Sequence, residues 1–227
     1  MYLSKIVLRR DAMPLSQLAE FIAGNTYHVH QFLWELFSDS ADRKRDFLYR
    51  RKDESQWPEF YVLSEREPVD QRHIWEIATK PYAPVLKLGD RLSFILRANP
   101  IVTQKDKEGR RKRHDVVMVA KRRLQSTPEK LDKTIASNLI MIEGIKWLDS
   151  RSSAKGFRLI TDSVRVTSYQ QHHLNKMKEG RHIQFSTLDL QGLLIVTDVE
   201  TFVNHTLYKG IGPAKGFGCG LMLVKPA

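Results

Sequence analysis

Gly89-Asp-Arg-Leu-Ser-Phe-Ile-Leu-Arg97 is where the chain begins its pattern a second time. Leu92, Phe94 and Leu96 alternate with Arg91, Ser93, Ile95 and Arg97, the period of two that marks a strand. Gly89-Asp90 ahead of it is a turn that closes off whatever precedes. Working back to the start, residues 1–10 also read as a strand, with Tyr2, Ile6 and Leu8 on one alternating set and Leu3 and Val7 on the other. A helical region opens at Met13-Pro14, with Leu15, Leu18, Ala19 and Ile22 at helical spacing, and Gly24-Asn25-Thr26 interrupts it. Asn25 or Thr26 is the expected N-cap of a second helical run, Tyr27 to Phe37. Asp46–Lys52 and Glu59–Arg66 predict a hairpin, Asp70–Thr79 a short helix, and Val85–Leu88 a last short strand before the turn. The order is strand, helix, strand, strand, helix, strand.

The same order can be followed forward from Arg91. Lys105 to Arg123 is a basic segment, and Leu131, Ile135, Leu139, Ile142, Ile145 and Leu148 then fall three to four apart, as in a helix. Phe157–Ser168 and Arg181–Val196 read as strands around a polar, basic connection, Gln170–Gly180. Thr197-Asp-Val-Glu200 fits a capping box for a helix bearing Val199, Phe202, Val203, Thr206 and Leu207, ending at Gly210. Leu221–Val224 closes as a strand. Two βαββαβ units with no long linker predict an α+β fold of tandem ferredoxin-like (RRM-like) domains, 1–89 and 90–227.

The 227 residues carry 37 Lys+Arg against 26 Asp+Glu, a net charge of +11. With a pI near 9.8, a polyanion is the expected partner, because surface Lys and Arg release counterions when they meet phosphates. Nine Lys and Arg lie between Lys105 and Arg123, against Asp106, Glu108 and Asp115. That segment reads either as a solvated loop or as a phosphate contact. One cysteine, Cys219, excludes an internal disulfide and a Cys-rich zinc site, which points to a reducing compartment. No stretch has the length of a membrane span and the N-terminus has no signal-like apolar run, so the expectation is a soluble, cytoplasmic protein without a membrane partner. Asp and Glu do not cluster at metal-binding spacing, and no recognition-helix or RNP-like strand motif is present, which argues against a metal nuclease, a DNA reader and ordinary RRM recognition.

Gly210-Ile-Gly-Pro-Ala-Lys-Gly-Phe-Gly-Cys-Gly220 is the densest glycine run in the chain. It follows a predicted helix and leads into a strand, the reverse of a dinucleotide fingerprint, and it lacks the Lys-Ser/Thr of a Walker loop. Two readings fit equally: glycine amides beside Lys215 cradle phosphates, or the loop packs where side chains do not fit. Its residues Gly210 to Lys215 and Gly218 to Leu221 resemble the C-terminal signature of the CRISPR-associated CasE endoribonucleases. Met1-Tyr-Leu-Ser-Lys5, Leu33-Trp-Glu-Leu-Phe37, Arg45-Asp-Phe-Leu48 and Leu96-Arg-Ala-Asn-Pro100 resemble the family as well, in the same order and across both halves. The resemblance implies a metal-independent, cofactor-free enzyme. It would bind the hairpin of CRISPR repeat RNA, cut at its 3′ base, keep the product and work with the other Cascade subunits.

Cleavage by the RNA's own 2′-hydroxyl needs a base, an acid and positive charge around the phosphorane, and histidine suits either proton role near neutral pH. Tyr27-His28-Val29-His30 places two histidines on the first helix, about 200° apart around it. Tyr27, His30 and Trp34 share one face, while Val29, Phe32, Leu33 and Phe37 cover the other. The family's pattern, a Tyr three residues before a His, falls on Tyr27 and His30 and has no counterpart for His28. By that resemblance His30 is the general acid or base, and Tyr27 positions the 2′-hydroxyl or the phosphate. The chain departs from the family in the longer helical segment ahead of Tyr27. The basic connection carries His172, His173, Lys176, Lys178 and Arg181, where the family's groove-entering hairpin lies, and Arg181 has the fork that engages guanine in two places. Lys155, Arg158 and Lys215, with Gly210, Gly212 and Gly216, complete the expected RNA contacts. The alternative is a non-catalytic RNA-binding subunit of a ribonucleoprotein complex.

Overall fold

Residues 1–12, 14, 18, 26–37, 45–52, 55, 57–106, 108–125, 133–176 and 181–227 are described by a computed structural model of the chain. The alternation at the N-terminus builds β1 (Tyr2–Leu8), which buries Ser4, Ile6 and Leu8 and exposes Lys5. Helix α1 (Thr26–Glu35) follows, then β2 (Phe47–Arg51), β3 (Glu59–Ser64) and β4 (Trp75–Pro81). All pairings are antiparallel, in the order β2-β3-β1-β4. Val29 and Leu33 of α1, with Leu36 and Phe37 just beyond it, pack on Ile6, Phe60 and Val62 of the sheet to make one core.

The restart at Arg91 is β5 (Arg91–Ala98), with Leu92, Phe94 and Leu96 inside as their alternation requires. A separate two-stranded ribbon, β6 (Ile101–Lys105) and β7 (Arg111–Asp115), precedes helices α2 (Val116–Gln125) and α3 (Lys133–Ser152). Then come β8 (Phe157–Lys176), β9 (Arg181–Val196), helix α4 (Val199–Thr201) and β10 (Met222–Pro226). Helix α4 continues as a π-helical segment, Phe202–Leu207, in which the Tyr208 amide reaches back to the Val203 carbonyl at 3.0 Å. The second sheet has the order β10-β5-β9-β8, so both sheets follow the 4-1-3-2 order of an antiparallel ferredoxin-like unit. Trp147 and Leu148 of α3, with Phe157 and Phe202, fill the core beneath it. The chain is an α+β tandem of ferredoxin-like units.

Several expectations are corrected. Asp70–Thr79 forms no helix: Trp75 and Ile77 alternate as a strand that completes the open edge of β1. Asp70, read as a helix start, instead accepts bonds from the Arg72 and Trp75 amides at 3.2 and 2.7 Å, closing a turn. Val85–Leu88 forms no strand; Val85 is 92% exposed and Leu88 74%. The basic segment is not a loop but the β6–β7 ribbon and α2. The connection Gln170–Gly180 is largely strand, paired from Gln170↔Thr187 to Lys176↔Arg181. At α4 the cap is Asp198, whose carboxylate accepts from the Thr201 amide at 3.0 Å, rather than Thr197. Most of the helical region from Met13 to Gly24, and Asn25, lie outside the described residues.

A buried ionic contact crosses between the sheets. Arg50 of β2 donates from Nη2 to Asp189 Oδ1 of β9 at 3.2 Å, and Arg97 of β5 grips both oxygens of the same carboxylate at 3.0 and 2.8 Å. Arg50 is 8% exposed and Asp189 6%. Removing the carboxylate would leave two guanidinium groups facing each other away from water. Asp189→Ala is therefore expected to cost about 3–5 kcal/mol of folding stability, seen as a lower urea midpoint; an unchanged midpoint would refute the linking role.

Candidate active site

The apolar stripe that seats α1 on its sheet fixes which way the helix turns. Val29 and Leu33 are buried, and His30, one position on from Val29, faces the C-terminal glycine run. Its ring stacks over Tyr49 at 6.4 Å and 14°, meets Trp34 edge-on at 5.9 Å and leans on Phe47 at 6.1 Å. This aromatic collar half-buries the imidazole. Its Nδ1 is buried without a hydrogen-bond partner among the described residues. Burial, and then the Arg45 guanidinium, hold its pKa below the ordinary histidine value.

The glycine loop reaches this histidine because it carries no side chain at the point of contact. A Cβ on Gly216 would lie 3.0 Å from Arg45 Nη1 and 3.8 Å from both Cε1 and Nε2 of His30. Tyr49 donates its hydroxyl to the Gly216 carbonyl at 3.0 Å and pins the loop there. Burial raises the Tyr49 phenol well above the usual range, so it stays a donor. The loop's ends are tied by Ile211 N–H to the Gly220 carbonyl at 2.9 Å and Gly220 N–H to the Arg97 carbonyl at 2.7 Å. Gly210, at φ 72°, has no room for a Cβ: Gly220 O would stand at 2.7 Å and Leu48 Cδ1 at 2.8 Å.

Positive charge gathers on the same loop. Lys215 donates to the Lys209 carbonyl and Lys155 to the His205 carbonyl. Burial lowers the pKa of Lys215, and Lys155, Arg45 and Lys209 lower it further by repulsion. Lys155 is lowered likewise by burial and then by Lys209. Cations that repel one another gain most from a shared anion, here one brought beside His30. The arrangement joins a neutral imidazole to a cationic surround, the components of an in-line attack at phosphorus.

Of the predicted residues, His30, Gly216, Lys215 and Lys155 come together here. Tyr27 lies in the first turn of α1, but its side chain is outside the described residues. Lys176 and Arg181 face each other at the end of the β8–β9 ribbon; their side chains, and all of Lys178, are also outside. Arg158 is exposed opposite Ile195, and Gly212 packs on Trp147, with a Cβ position 3.2 Å from its ring. Sequence reasoning missed Arg45, Tyr49 and Lys209 as site residues. Arg45 stood in the Arg45–Leu48 stretch that resembles the family, and Tyr49 followed as a second ring on the Phe47 face of β2. A cleft of about 680 Å³ runs on from the loop between the two sheets, lined among others by Tyr49, Arg97, His172 and Phe217.

A family model described as CRISPR associated protein matches residues 1–226. The CRISPR system Cascade subunit CasE of Escherichia coli (strain K12) is 30% identical over 228 residues, covering 100% of both chains. The CRISPR-associated endoribonuclease Cse3 of Thermus thermophilus is 28% identical over 242 residues, again with 100% of both covered. A solved structure of Thermus thermophilus Cse3 bound to an RNA representing a pre-cleavage complex matches with TM-score 0.68 at 28% identity, covering 99% of this chain and 98% of that one.

The His30 ring should titrate below the ordinary histidine value in NMR, and Arg45→Met should raise its pKa without fully restoring it, since burial is the larger cause. Because the unfolded chain binds this proton more readily, the site loses stability as pH falls from the ordinary histidine pKa toward the lowered one. Titration at or above the ordinary value would refute the burial described.

Proposed function

Because the chain belongs to the family of CRISPR-associated proteins along its length, we propose that it is a metal-independent endoribonuclease that binds the stem-loop of CRISPR repeat RNA and cuts at its 3′ base. The observation that carries this reading is His30, half-buried with a lowered pKa and set against a glycine that leaves space beside it, under Arg45, Lys155 and Lys215. At neutral pH the imidazole is uncharged and accepts the proton of the 2′-hydroxyl. The freed oxygen attacks the adjacent phosphorus, the bond to the 5′-oxygen breaks, and that oxygen takes up a proton. The products are a 2′,3′-cyclic phosphate and a 5′-hydroxyl. Arg45 and Lys215 offset the charge that builds on the phosphorane, and Tyr27 positions the 2′-hydroxyl or the phosphate.

The β8–β9 ribbon with Lys176, Lys178 and Arg181 holds the stem, and Lys155, Arg158, Gly210, Gly212 and Gly216 complete the RNA contacts. Residues 1–89 form the domain that brings the catalytic helix, and 90–227 the one that brings the ribbon and the glycine loop. The mature RNA is retained, and the complex joins other Cascade subunits. Among the described residues no helix is long and apolar enough to cross a membrane; the cytoplasm, where the substrate is made, is the compartment this reading assigns.

The test is an end-labelled repeat hairpin incubated in EDTA with the protein and with His30→Ala, resolved on a sequencing gel. A single cut by the unmodified protein, and none by a variant that still binds, is the expected result. Cutting by both moves the chemistry off His30, and binding without cutting by either favours a structural RNA-binding subunit. Arg181→Ala is expected to weaken the hairpin complex by roughly 1–3 kcal/mol in a filter-binding titration at fixed salt; equal affinity would remove it as a base reader.

A further inference from the structure

The register of β8 and β9 sets His172 directly opposite Phe185, and the two rings stack at 4.7 Å and 18°. Phe217, from the glycine loop, stacks on Phe185 at 4.8 Å and 25°. Three rings from three segments thus form a column with Phe185 in the middle. Thr187 Oγ1, 2.9 Å from His172 Nε2, fixes the imidazole end. The two terminal rings, His172 and Phe217, both line the cleft between the sheets. No part of the proton transfer proposed above uses this column.

Its position narrows what it can hold. Phe217 is flanked by Gly216, which meets His30, and by Gly218, which meets Tyr49. Whatever lies on Phe217 is therefore one residue along the loop from the reacting phosphate. Arg51, Lys52 and Gln170 line the same cleft, and Asp189, which also lines it, is already held by two arginines. A stacking surface beside cations is how proteins hold unpaired nucleotides, since every base has a π face and every nucleotide a phosphate.

We propose that the His172–Phe185–Phe217 column is a specificity-determining seat for an unpaired nucleobase at the foot of the RNA stem, stacked in the cleft next to the cut. The proposal deepens the endoribonuclease reading and rests on it. A base held there fixes the strand where it leaves the duplex, and so sets which phosphate meets His30.

The test titrates full-length protein with a repeat hairpin carrying 2′-deoxyribose at the cut site, so that nothing is cleaved. Matched hairpins carry an abasic residue at the first unpaired position on either side of the stem. The wild type is expected to bind one abasic hairpin about tenfold more weakly than the intact one, in the range of base–aromatic stacking. Phe217→Leu, which keeps apolar bulk without a ring, should bind both alike at the weaker level, and Phe217→Tyr should restore the difference. If Phe217→Leu weakens intact and abasic hairpins by the same factor, or abasic residues cost the wild type nothing at either position, the column seats no base and the proposal falls. Wild type that binds an all-ribose hairpin without cutting it overturns the endoribonuclease reading, while the titration still decides the column. Failure to bind any hairpin overturns both.

Discussion

A carboxylate held between two guanidinium groups ties this molecule together. Asp189 accepts from Arg50 on one sheet and Arg97 on the other, in surroundings dry enough that neither charge is well served by solvent. Each ferredoxin-like unit has its own apolar core and its own antiparallel sheet. The active-site geometry belongs to neither alone, because His30 comes with the first sheet and the glycine loop with the second. Hydrogen bonding places the loop's far end on Arg97, one of the two arginines that share Asp189, and its middle on Tyr49, the chain neighbour of the other. The ion triad and the loop are thus two parts of one clamp.

The glycines show why such a run arises without a nucleotide-binding fold. Gly210 closes the loop on itself and on Leu48, and Gly218 lies against the Tyr49 ring. These are packing demands. Gly216 differs, since its missing side chain opens space between Arg45 and His30. Tight packing thus describes Gly210 and Gly218, while the cradle belongs to the function proposed for the loop.

Much of the fold was legible because its strands alternate cleanly and its turns are marked by Gly, Pro and Asp. Arg91–Arg97 is legible from its period alone, and the β2–β3 hairpin from two aromatic and aliphatic stretches parted by a polar one with Trp57-Pro58. The stretch from Asp70 to Thr79 misled because an Asp ahead of Ile, Trp and Ile looks like a capped helix, while the edge of β1 that recruits it is a tertiary demand. The basic ribbon escaped for a related reason: Ile101–Lys105 and Arg111–Asp115 are mostly polar on both faces, so neither alternates. At the site, His30 was legible through its spacing from Tyr27 and through family resemblance. Arg45, Tyr49 and Lys209 were not: the packing of α1 on its own sheet brings Arg45 and Tyr49 beside His30, and the joining of the two halves brings Lys209 to the same surround. The ring column was invisible because its three members lie on three separate segments of the second half.

The π-helical segment Phe202–Leu207 bears on how the glycine loop keeps its aim. A π turn holds one more residue than an α turn between its hydrogen-bonded ends, so this helix carries a residue that a regular helix of the same span would omit. Deleting one residue there would let the helix regularise with its downstream end kept in nearly the same register, because the wide turn already absorbs the extra residue. The widened turn therefore takes up one residue of length without redirecting the chain at Gly210, so the helix can differ by a residue there while the loop it delivers keeps its aim.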